Sequence, residues 1–170
     1  MMASVSTEAE PPRADPGYPG APLTLYLVKR LEMVIRALLD DALRPLGLTT
    51  LQYTALSVLR SRGALSSAQL ARRSFLRPQT MHEMVLTLEK RGLITRTPAP
   101  GNRRILLASL TETGHALMTE CVPAVRELEN RMLIGLSPQR QAEFRGVLQH
   151  GISSLAAIAV TRRIAVGGRD

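Results

Sequence analysis

A mainly α fold with one small β-hairpin is predicted by three features of this 170-residue sequence. Apolar residues recur at helical spacing through long stretches near both ends of the chain. Two Ser/Thr-x-x-Gln boxes open short helices near its middle. One pair of strand-like runs, Ile94 to Thr97 and Ile105 to Leu110, flanks a turn rich in Pro and Gly. With 45% hydrophobic residues the chain can bury one sizeable core, and its length suits a single domain with tails.

Residues 1–22 hold five of the eleven prolines and few large apolar groups, so they cannot offset the entropy of ordering and are expected to form a disordered arm. Leu27, Leu31, Val34, Ile35, Leu38 and Ala42 define a first helix over 23–43, ended by Pro45 and Gly47. Thr49 with Gln52 caps a second, whose face is Leu51, Ala55, Leu56 and Leu59 and whose stop is Gly63. Ser66 with Gln69 repeats the device for a third, to about Arg73. Pro78 sits in the first turn of a fourth, where Met81, Val85 and Leu88 face inward before Gly92. The hairpin follows, with Pro98 to Arg104 as its turn.

Thr111 caps a fifth helix expected over 112–134, with a kink near Pro123. Ser137-Pro138 starts a sixth, predicted to run to about Val160 on Phe144, Val147, Leu148, Ile152, Leu155 and Ile158, with residues 161–170 a frayed tail. Helices packed in this order ahead of a hairpin make the winged helix-turn-helix arrangement, a lobe over residues 48–111.

The formal net charge is +8, and its placement is informative. Between Ser66 and Ile105 stand Arg72, Arg73, Arg77, Lys90, Arg91, Arg96, Arg103 and Arg104 against only Glu83 and Glu89, so a polyanion is the natural partner of this segment. One cysteine forbids an internal disulfide. The opening residues lack the apolar stretch of a secretory leader, and no run approaches the roughly 18 apolar residues of a membrane span. A cytoplasmic protein without membrane contact is expected. His82, His115 and His150 are too scattered for a metal site, and no Ser/His/Asp, paired-carboxylate or phosphate-loop constellation suggests an enzyme or a cofactor.

Four segments in register, Leu48-Thr49-x-x-Gln52-Tyr53-x-x-Leu56, Leu65-Ser66-x-x-Gln69-Leu70-Ala71, Leu88-Glu89-Lys90-Arg91-Gly92-Leu93-Ile94 and Leu110-Thr111-x-x-Gly114, with Arg103-Arg104 before the last, resemble the MarR family of bacterial transcriptional regulators. The likeness spans about residues 25 to 160. It implies an obligate homodimer joined through a helical region at 23–47 and 112–160, a pseudo-palindromic duplex operator, and control by an effector, most simply as a repressor. Where the family's wing carries Asp two residues before the tip Arg, this chain has Asn102.

Groove dimensions then assign roles. A helix enters the major groove with its N-terminal residues at base edges, which positions Arg77 for guanine and Gln79 for adenine, with Thr80 at base or phosphate and His82 at base or solvent. Glu83 suits a salt bridge with a nearby Arg. Arg104 suits a narrow minor groove and Arg103 the flanking phosphate. Ser66, Ser67 and Gln69 can hold a phosphate at a helix start, cap that helix, or both. The resemblance also implies a pocket for a small aromatic or lipophilic effector near Met33, Arg36, Tyr53, His115 and Met118. Two alternatives remain: a thiol switch at Cys121, because some relatives sense peroxide through cysteine, and a winged helix used for protein contacts alone.

Overall fold

The computed structural model describes residues 23–166. In chain order these form α1 (Thr24–Leu43), a 3-10 turn (Arg44–Leu46), α2 (Thr50–Arg62), β1 (Leu65–Ser66), α3 (Ser67–Arg73), α4 (Pro78–Lys90), β2 (Ile94–Ala99), β3 (Asn102–Leu110), α5 (Glu112–Glu120), α6 (Val122–Met132) and α7 (Pro138–Val166). The expected arm over residues 1–22 and the last four residues of the expected tail lie outside the described residues. The described residues divide into two compact units, one ending at Ala124 and the other beginning at Val125.

Local chemistry starts each helix. Thr49 and Ser66 both form complete capping boxes: each hydroxyl accepts the amide three residues on, and the Gln there accepts the cap's own N–H. Arg77 precedes Pro78 at the first position of α4, and the Thr111 hydroxyl caps α5. The predicted inward faces are buried: Ala55, Leu56 and Leu59 of α2 and Met81, Val85 and Leu88 of α4 join Leu43, Leu70, Ile94 and Met118 in one core.

Four elements differ from expectation. Leu65 and Ser66, read only as the approach to a helix, pair with Ala108 and Leu107, giving a three-stranded antiparallel sheet in the order β1-β3-β2. The hairpin is longer than predicted, because Pro98, Ala99 and residues 102–104 are strand and the turn shrinks to Pro100-Gly101. The fifth helix is two helices, interrupted at Cys121: Pro123 stands in the first turn of α6, where its missing N–H is tolerated. Finally, α7 continues to Val166, six residues past the expected stop.

α3 ends in a Schellman turn. The Leu76 N–H reaches the Ala71 carbonyl at 3.0 Å, and Phe75 occupies the left-handed position at φ 55°. Glycine is the usual residue there, since a Cβ in this conformation costs about 1–2 kcal/mol. Phe75 is also 75% exposed.

Gly114 explains the Leu-Thr-x-x-Gly segment. A Cβ on it would lie 2.1 Å from the Leu93 carbonyl oxygen, which itself accepts the Thr111 N–H at 3.1 Å. The Thr111 hydroxyl donates to the Gly92 carbonyl and accepts from the Gly114 amide. Because backbone must move to admit a methyl group, Gly114→Ala is expected to destabilise the fold by about 3 kcal/mol, read as a lower denaturant midpoint at unchanged m-value. An unchanged midpoint would show that this junction yields.

In the second unit, Arg145 of α7 pairs with Glu129 of α6 at 3.0 Å, and Leu133 is buried between the two helices in sequence. Along α7, Val147, Ile152, Leu155 and Ile158 remain exposed. In the first unit, Leu25, Leu27, Val28, Met33, Val34 and Leu38 of α1 are likewise exposed.

Candidate nucleic-acid interface

The start of α4 presents a continuous exposed polar surface. Arg77, Gln79, Thr80 and His82 all face solvent, because Met81 and Val85 take the buried positions of the same turns. Gln79 donates to Glu83 at 2.8 Å across one helical turn. Glu83 therefore engages a neutral amide rather than the expected Arg.

The wing tip is shaped by its register. Pro98 pairs with Leu106 and Ala99 with Asn102, so Arg103, Arg104 and Ile105 have no partner on β2 and bulge from the hairpin. Both arginines are exposed. The Asn102 Oδ1 accepts the Arg104 backbone N–H at 3.1 Å, an Asx-type turn that shapes the backbone where a family Asp would orient a side chain. The amide does this without placing a negative charge beside the arginines.

One basic residue of the segment is withdrawn. Arg96 donates both Nε–H and Nη2–H to the Glu89 carboxylate, tying β2 to α4. The guanidinium holds the Glu89 carboxyl below the usual carboxylate range, and the carboxylate raises Arg96 in turn. Arg96 thus belongs to the framework, and the exposed cations available to a partner are Arg72, Arg73, Arg77, Lys90, Arg91, Arg103 and Arg104. Ser66 and Gln69 are committed to each other as a cap, with Ser67 half-buried beside them.

The expected effector residues do not converge. Met118 is fully buried in the core, where its carbonyl accepts from Arg60, so it lines no opening. Met33 and His115 are exposed, and Tyr53 is half-buried. A cleft of about 330 Å³ opens instead where α1 meets the start of α2, lined by Arg36, Asp40, Arg44, Leu48, Thr50 and Leu51 among others. Of the expected five only Arg36 borders it. Asp40 accepts the Thr50 N–H at 2.7 Å, which lowers its pKa, while Arg36 is paired with Glu32.

Cys121 has no exposed surface. Burial pushes its thiol upward, Glu120 adds to this and Arg60 opposes it. Burial is thus the leading cause, ahead of the neighbouring charges. Among the described residues no cluster of His, Cys, Asp and Glu could hold a metal ion, and no helix is long and apolar enough to cross a membrane.

Comparison with known proteins agrees with these features. A family model described as MarR family matches residues 46–105. The HTH-type transcriptional repressor Rv2887 of Mycobacterium tuberculosis is 37% identical over 124 residues, 73% of this chain and 89% of that protein. The crystal structure of Rv2887 in complex with p-aminosalicylic acid superimposes with a TM-score of 0.63 at 35% identity, covering 76% of this chain and 98% of that one. BpsR of Bordetella bronchiseptica, whose DNA binding is regulated by 6-hydroxynicotinic acid, gives a TM-score of 0.68 at 25% identity over 78% of this chain and 95% of its own. With its capped helices, bulged basic wing and a repressor matched over nearly its whole length, the chain belongs to the MarR family.

Proposed function

We propose that this protein is a homodimeric, sequence-specific repressor of transcription that leaves a pseudo-palindromic operator when a small aromatic effector binds. The observation that carries the reading is the pairing of an exposed Arg77, Gln79, Thr80 and His82 at the start of α4 with a bulged wing bearing Arg103 and Arg104. The first set suits base edges in the major groove, the second a minor groove and its phosphates. Ser66, Ser67 and Gln69 take a supporting place at the backbone. A module for protein contacts alone is disfavoured, since these surfaces are cationic rather than apolar or acidic.

Effector control follows from linkage. A compound releases DNA only if it binds the free form more tightly than the complex. The compounds named for Rv2887 and BpsR are both aromatic acids. The cleft lined by Arg36, Asp40 and Arg44 is of a volume usual for ligand sites, and an acid entering it would compete with Glu32 and Asp41 for the two arginines they pair with. A thiol switch through Cys121 is disfavoured, because a buried thiol with a raised pKa presents little thiolate to an oxidant.

A footprint of the purified protein on the DNA upstream of its own gene tests the reading. Two protected half-sites about one helical turn apart are expected, vanishing when an aromatic acid is added. Uniform protection with no preferred sequence would overturn the operator, and protection indifferent to every aromatic acid tried would overturn the effector.

A further inference from the structure

Phe75 is left unexplained by the roles assigned so far. Among the described residues it is the only non-glycine at positive φ, and it exposes three quarters of its surface. Both facts disfavour folding: the left-handed backbone crowds Cβ, and the exposed ring leaves apolar area in water. Glycine at this Schellman position would incur neither. Contacts within the chain therefore do not account for a phenyl group here.

Its surroundings indicate what would cover it. Arg72 and Arg73 close α3 just before it, Arg77 opens α4 just after it, and all three are exposed. Such a rim attracts a polyanion and repels a basic protein surface. Phe75 stands three residues before Pro78, where the helix assigned to the major groove begins, so on that assignment the ring would fall beside the strand that borders the groove. The apolar surface a duplex offers there is the deoxyribose.

Resting on the DNA-binding reading above, we propose that Phe75 is a DNA-contact residue whose ring packs on the deoxyribose of the strand flanking the groove entered by α4. The contact is apolar and independent of sequence, so it strengthens binding to any duplex and adds no phosphate neutralisation.

The test uses the full chain and a mixed-sequence duplex at low salt, read by fluorescence anisotropy. Phe75→Gly and Phe75→Asn both suit a left-handed backbone, so their melting temperatures should equal or exceed the parent's. Their affinity for the duplex should nevertheless fall about tenfold, the scale of exposing part of a phenyl ring, with the salt slope unchanged. The chain has no tryptophan, so Phe75→Trp supplies a sole reporter. Its emission should change at saturating duplex and recover at high salt. Parent-like affinity in both variants, or unaltered emission at saturation, overturns the contact. A shallower salt slope in the variants also overturns it, because the ring would then act by placing an arginine. A parent protein that binds no duplex under any condition defeats the DNA reading itself, an outcome distinct from variants that bind as the parent does.

Discussion

Raising salt from about 50 to about 200 mM is expected to weaken binding to duplex DNA by about a thousandfold. Arg77, Arg103 and Arg104 are exposed, and among the described residues none of them is held in an ion pair. Each is therefore free to displace a condensed counterion. Six such residues in a dimer, at roughly 0.9 per phosphate neutralised, give a log–log slope of about −5. Replacing both Arg103 and Arg104 by Ala should reduce that slope to about −2 while leaving the fold intact, since neither side chain is buried. Gln79→Ala should leave the slope alone and relax preference at one base pair per half-site by about 1–3 kcal/mol. An affinity that ignores salt would defeat the assignment of both surfaces.

Removing everything after Gly135 is expected to abolish soluble folded protein. The exposed apolar residues of α1 and of α7 lie on long helices, and a second copy of the chain is the partner that would cover them symmetrically. Intact protein should sediment as a dimer at every concentration tested. If the two helices share a dimer interface, loss of α7 would remove one side of it and leave the exposed α1 residues in water, giving aggregate. Leu155→Glu offers a milder check, placing a charge on the same exposed surface and shifting dimer toward monomer. A truncated chain that stays soluble, folded and monomeric would refute the interface.

Helix starts were legible in the sequence because their causes are local. Thr49 with Gln52, Ser66 with Gln69, and Pro78 each settle a boundary within four residues, and the inward positions of α2 and α4 follow from spacing alone. What escaped depends on residues far apart or on a geometry without a spacing rule. Leu65 becomes a strand only because Ala108, 43 positions later, lies beside it. Arg96 is in sequence one more cation of the basic segment, and only the fold brings Glu89 to hold it. Met118 lies at a helical spacing that favours core over pocket, and its side chain is buried in the core. Phe75 left one trace, an aromatic residue where a short helix ending before a proline commonly has glycine.

The knot at Gly92, Leu93, Thr111 and Gly114 has a mechanical meaning. It fastens the base of the hairpin to the first turn of α5 through two hydrogen bonds from Thr111 and a close backbone approach at Gly114, so hairpin and helix would turn together. β3 is nine residues long, a lever arm of at most about 30 Å from that fulcrum to the bulged tip. A rotation of α5 by about 5° would sweep Arg103 and Arg104 through as much as about 2.5 Å, comparable to the length of a hydrogen bond. Displacements too small to disturb the core at its pivot are thus enlarged at the far end into the difference between touching a groove and missing it.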